Sequence, residues 1–170
     1  MLGRNSLLPI LAITVLAGCN DRPANILDPL DPQFAEASSP QARPLTGFME
    51  GYDEFAGLCT VGSNTGLELW TYGTGTLTHL GKTGLEQYTC FDPVNMAIYE
   101  TWYILTAANG DVVRGGITGV GFTPEGDTVL YMSIEGGTGR FENASGSMAS
   151  TVVTSDADTW EGPVTGEIRY

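Results

Sequence analysis

Basic residues are scarce in this chain: seven lysines and arginines stand against twenty aspartates and glutamates, for a formal net charge of -13. Nucleic-acid binding depends on basic side chains that neutralise phosphates, so no nucleic-acid partner is expected. The same acidity sets the body of the protein against an anionic bilayer surface. Histidine occurs once, at His79, and cysteine three times, at Cys19, Cys59 and Cys90. One imidazole and widely spaced thiols do not make a zinc set, and no metal is expected. A Gly-x-Ser-x-Gly elbow and a zinc-protease helix motif are both missing. The glycine run at Gly136, Gly137 and Gly139 precedes no legible helix whose N-terminus would face a phosphate, so no nucleotide or other cofactor is expected.

A long apolar run occurs only at the start, from Leu7 to Leu16 behind Arg4, and it ends in Leu16-Ala17-Gly18-Cys19. A positive start, about a dozen apolar residues and a small-residue exit are the parts of a secretory signal, whereas a membrane span needs about twenty apolar residues. The closing tetrapeptide resembles the lipobox of bacterial lipoprotein signal peptides. That resemblance implies cleavage before Cys19, a diacylglyceryl thioether on its sulfur and an acylated amine. Two or more acyl chains make attachment to the membrane stable. In that family an aspartate directly after the cysteine retains the protein at the inner membrane. Asn20 stands here, which implies outer-membrane delivery in a cell with two membranes.

Residues 20–46 carry Pro23, Pro29, Pro32, Pro40 and Pro44 among Asp, Ala and Ser, with little apolar surface to offset the entropy of ordering. The division expected is a signal peptide over 1–18, the lipidated cysteine and a flexible linker over 19–46, and one folded domain over 47–170.

Within that domain helical periodicity is absent, and Gly, Thr, Tyr, Trp and Val alternate between frequent turn signals, an all-β pattern. The spacing predicts strands over 74–91, 98–108, 112–123, 128–135, 146–154 and 162–170, with shorter ones over 58–61 and 67–72. Asn109-Gly110 is a hairpin signal, because a type I′ turn needs positive φ at both central residues. Seven or eight antiparallel strands in so short a domain predict one small barrel or sandwich, and a closed barrel removes exposed edges. In an exported protein Cys59 and Cys90 are expected to pair, since Cys19 is committed to lipid.

Three blocks carry a further resemblance: Thr78-His79-Leu80-Gly81-Lys82-Thr83-Gly84, Leu105-Thr106-Ala107-Ala108-Asn109-Gly110-Asp111, and Gly136-Gly137-Thr138-Gly139-Arg140-Phe141-Glu142-Asn143-Ala144-Ser145-Gly146-Ser147. In order and spacing they resemble a family of exported bacterial β-barrel proteins without an assigned activity. The glycine-arginine segment is similar to one in plant dirigent proteins and, more loosely, in allene oxide cyclases. The resemblance implies an antiparallel barrel of about eight strands. It leaves function open, since one fold hosts unrelated activities.

The candidate ligand-binding residues are His79, Arg140, Trp102 and Tyr103. Alternation along a continuous strand places His79 with Leu77, Gly81 and Thr83; it is either a hydrogen-bonded structural residue or a general base in need of a carboxylate. Arg140 either pins a turn to a nearby Asp or Glu or meets a carboxylate ligand bidentately. Trp102 and Tyr103 belong to a set of strand aromatics that serve as core, as a girdle or at a ligand-admitting barrel mouth. Asp156, Asp158 and Glu161 form an acidic loop without the ligand ladder of a calcium hand, and a solvated hairpin is expected there. Two functions follow as expectations. One is a lipid-anchored envelope protein whose non-catalytic barrel binds a small apolar ligand or another envelope protein. The other is a cyclase- or dirigent-like barrel guiding an apolar intermediate. An open apolar cavity with His79 or Arg140 turned inward would favour the second.

Overall fold

The computed structural model describes residues 41–154 and 158–170. The signal segment over 1–18, Cys19, the linker up to residue 40 and Asp156 of the acidic loop lie outside the described residues. Nine strands follow one another with a single turn of 3-10 helix. They are β1 Arg43–Val61, β2 Asn64–Leu77, β3 Gly81–Asp92, β4 Ala97–Thr106, β5 Val112–Gly115, β6 Ile117–Phe122, β7 Thr128–Ile134, β8 Ser145–Thr154 and β9 Thr159–Arg169, with the 3-10 turn at Gly139–Phe141. All ladders are antiparallel, in the order β5-β4-β3-β2-β1-β9-β8-β7-β6.

The two edges of that sheet, β5 and β6, are separated in the chain only by Gly116, so the sheet curls until its edges meet. Arg114 N donates to the Gly136 carbonyl and Glu135 N to the Arg114 carbonyl, both at 2.9 Å, and Ser133 N reaches the Gly116 carbonyl at 2.9 Å. β5 is thus held between β4 and the end of β7, and the barrel is nearly closed. Below Gly116 the edges part, and a cleft of about 420 Å³ lies between β4 and β6, lined by Ile98, Thr101, Ile117 and Val120 among others. Counted as one strand bent at Gly116, β5 and β6 make the barrel eight-stranded, the number expected from the sequence.

Three local expectations need correction. Residues 74–91 are not one strand: they turn at Thr78-His79-Leu80, where His79 takes a φ of 69°, so alternation does not place His79 on a strand face. Residues 112–123 break at Gly116. The stretch 43–57, where no strand was expected, is most of the long β1. It carries Phe48 and Tyr52 outward, 49% and 50% exposed, while Gly47, Gly51 and Asp53 alternate with them. Leu45 and Met49 do point inward, but the inward glycines and Asp53 and the outward aromatics blur the usual apolar-in, polar-out alternation of a half-buried strand.

The packed core fills one end of the barrel. Leu45, Leu77, Leu80, Leu105, Phe141 and Ile168 are almost completely buried, each contributing about 1.5–3 kcal/mol by its burial. Cys59 on β1 and Cys90 on β3 form a disulfide across β2, with Cα atoms 5.9 Å apart. Gly66 of β2, the ladder partner of Cys59, leaves room for this approach: a Cβ there would meet the Phe91 carbonyl oxygen at 2.5 Å.

Candidate functional site: an apolar cavity in the barrel

Opposite the packed end, the barrel interior holds a cavity of about 300 Å³. Its wall is mainly aliphatic and thioether: Met49, Leu69, Leu85, Ile117, Leu130, Met132, Met148 and Val152 contribute from six strands. Apolar walls of this kind favour a ligand that sheds water on entry, with a few polar groups to orient it.

Those polar groups come mostly from one side. Asp53, Thr71, Gln87 and Tyr103 are consecutive partners across β1, β2, β3 and β4, so they form one row across the inner face. Thr71 Oγ1 donates to Asp53 Oδ1 at 2.6 Å. Burial, foremost, and the charge of Asp158 push the Asp53 carboxyl above the usual aspartate range, while the Thr71 hydrogen bond opposes them. Gln87 is buried and its Nε2 donates to Thr89 Oγ1 at 3.4 Å. Trp160 of β9 lies in the wall over paired glycines. A Cβ at Gly51 would meet its ring at 2.7 Å and one at Gly73 would meet it at 3.1 Å. The Trp160 indole N–H is buried without a hydrogen-bond partner among the described residues, a desolvated donor costing about 1–3 kcal/mol.

The four residues singled out from the sequence are not brought together. His79 and Arg140 lie at the packed end, outside the cavity lining. One Arg140 Nη donates to the His79 carbonyl oxygen, Nε stands 3.8 Å from Asp111 Oδ2, and the guanidinium covers the Phe141 ring at 4.7 Å. Arg140 therefore ties the turn after β2 to the turn after β4. The His79 ring faces Tyr170 edge-on at 6.1 Å, and Phe141 packs against Tyr170 at 4.9 Å. The three motif blocks meet here as a floor for the barrel.

Tyr103 is fully buried and its hydroxyl donates to the Ser133 carbonyl at 2.5 Å. It crosses Gly115 of β5 to reach β7, stitching the seam, and burial, with the nearby Glu135 charge second, pushes its phenol well up. Trp102, its chain neighbour, points to the opposite, outer face, where it stacks with Tyr88 at 6.0 Å. His79 thus does not line this cavity. The residues that do line it, Asp53, Gln87, Thr89 and Trp160, were missed. Their signal was the inward alternation of Thr71, Gln87 and Thr89, legible only once the strand registers are known.

No metal-ligating cluster of three or more His, Cys, Asp or Glu side chains occurs among the described residues. No helix among them is long and apolar enough to cross a membrane. No protein-family model matches the chain, and no curated protein matches it. Among solved structures, a pterocarpan synthase dirigent protein is similar, with a TM-score of 0.48 and 12% identity, over 76% of this chain and 86% of that one.

Proposed function

We propose that this is a lipid-anchored protein of the bacterial cell envelope whose barrel holds a small, largely apolar molecule without transforming it. The cavity carries this reading: about 300 Å³ of mostly apolar interior, in a barrel whose other end is fully packed. A volume of that size suits a ligand at the small end of the usual pocket range. The lipobox-like ending at Cys19 supports the anchor, and Asn20 after it supports delivery to an outer membrane.

The cleft between β4 and β6 shares Met96, Ile98, Ile117 and Val120 with the cavity, and it supplies a side entrance. The test is displacement of a fluorescent apolar probe. Wild-type protein is expected to take up the probe in saturable fashion, and Ser150→Phe, which projects a ring into the cavity, is expected to abolish uptake while the protein stays folded. Equal uptake by the filled variant would place the probe elsewhere and refute the reading.

One observation favours a second reading, a cyclase- or dirigent-like barrel that steers an apolar intermediate. Asp53 sits in the cavity wall, and burial raises its carboxyl above the ordinary aspartate range, the direction that suits a general acid beside an apolar reactant. In this reading Asp53, and neither His79 nor Arg140, handles the proton. Enantioselective product formation lost in Asp53→Asn but kept in His79→Ala would establish it.

A further inference from the structure

The outer face of β1 to β4 carries a constellation separate from the cavity. Tyr52 pairs with Tyr72 in one cross-strand row, and Trp70, Tyr88 and Trp102 are consecutive partners in the next. Side chains in such rows share one face of the sheet. The rings touch: Tyr52 and Tyr72 lie 5.5 Å apart, Trp70 and Tyr88 5.2 Å, and Trp70 and Trp102 5.5 Å between centroids. Ring faces of this kind attract cations, guanidinium groups above all.

Carboxylates surround the rings. Glu54 is the ladder partner of Trp70, Glu86 that of Tyr72, and Glu68 and Glu100 flank Cys90 in the adjoining row. Glu50 stands directly opposite Glu161 of β9, and like charges in opposed positions weaken a sheet. A depression of about 600 Å³ lies where these two glutamates meet Tyr52 and Tyr72. Among the described residues, the rows through Glu50, Tyr52, Glu54 and Glu68 hold one basic side chain, Arg114, at the far end of the Tyr52 row beyond Glu86 and Ile104.

We propose that this face binds an arginine- and lysine-bearing segment of a second, cationic protein. Guanidinium groups lie on the rings of Tyr52, Tyr72 and Trp102, and the opposed carboxylates of Glu50 and Glu161 receive one of them in the depression. The charge selects this occupant. A second copy of the chain brings its own net charge of -13 and is repelled. A carbohydrate would also stack on the rings and donate hydroxyls to the carboxylates, but as a neutral ligand it would gain nothing from their charge, which a cationic segment neutralises. The depression shares Leu85 and Trp160 with the cavity wall, but Glu50, Tyr52, Tyr72, Trp102 and Glu161 do not line the cavity, so substitutions at these five test this face alone.

The test is calorimetric titration of the full-length protein with an arginine–glycine repeat peptide near physiological salt. Tyr72→Leu combined with Trp102→Leu removes rings and keeps the charge, and is expected to weaken binding about tenfold or more. Tyr72→Phe, which keeps a ring, is expected to weaken binding far less than Tyr72→Leu, and an unchanged thermal midpoint in the double variant shows that it is folded. Glu50→Gln with Glu161→Gln is expected to weaken binding and flatten its salt dependence, while Glu125→Gln with Glu142→Gln, at exposed carboxylates elsewhere, changes little. Binding that ignores ring removal would reduce the effect to general acidity and overturn the proposal. So would preferential binding of a neutral oligosaccharide, or self-association of the protein through this face in sedimentation.

Discussion

Among the described residues, Asp53 is the one residue of a charged type in the cavity wall. Its carboxyl is raised by burial, so the folded protein holds that proton to higher pH than the unfolded chain does. The sign follows from linkage: a carboxyl raised in the folded state costs no stability while both states are protonated. The cost appears as pH rises past the ordinary value of 3.8 and is complete above the raised one. Asp53→Asn is therefore expected to be the more stable protein at neutral pH and to lose that advantage in acid, as read from urea melts at several pH values. A constant difference across pH would contradict burial as the cause. Arg140 provides the contrast. Its hydrogen bond to the His79 carbonyl and its ion pair with Asp111 are half-exposed. Arg140→Ala is expected to cost about 1 kcal/mol of stability and to leave probe uptake by the cavity unchanged. Lost uptake in that variant would return Arg140 to the binding machinery.

Among the elements, β1 bears the most. It pairs with β2 and β9 along most of its length, supplies Asp53 to the cavity and Tyr52 to the outer face, and passes Gly51 beneath Trp160. A Cβ at Gly51 would overlap the Tyr72 carbonyl as well as crowd the Trp160 ring. Gly51→Ala is expected to cost about 1–3 kcal/mol, the range for overpacking, read as a lowered thermal midpoint. The disulfide ties β1 to β3 over a separation of 31 residues, and its removal by Cys59→Ser with Cys90→Ser is expected to cost about 3–4 kcal/mol. The strands β4, β7 and β8 were legible almost to their ends, because their alternation is clean and their turns carry Asn109-Gly110 or Pro124-Glu125-Gly126. β1 was not, because glycines and an aspartate share its inner face with Leu45 and Met49 while aromatics share its outer face with glutamates, which blurs the alternation. The turn at His79 was not either: it contains no glycine or proline until Gly81, so a strand pattern runs through it unbroken.

At the scale of the molecule, the barrel divides its labour along its axis and across its wall. One end is a floor built from the three motif blocks, the other is a chamber, and the outer face of β1 to β4 is a separate aromatic and acidic surface. The barrel was legible from strand count and turn spacing. The chamber was not, because its lining is set by which inward residues share a row, and rows depend on register. The motifs that drew attention in the sequence hold the floor, where His79, Arg140 and the glycines are constrained by tight turns. The residues around the chamber are ordinary threonines, methionines and leucines whose meaning is positional. The central claim, a barrel that carries a small apolar molecule, is tested most directly by native mass spectrometry of the protein purified from its own cells under conditions that retain ligands. A reproducible added mass beyond that of the covalent polypeptide measured under denaturing conditions, absent from Ser150→Phe and present in Arg140→Ala, is the expected result. The same bare mass in wild type and Ser150→Phe, or an added mass that the filled variant keeps, would contradict it.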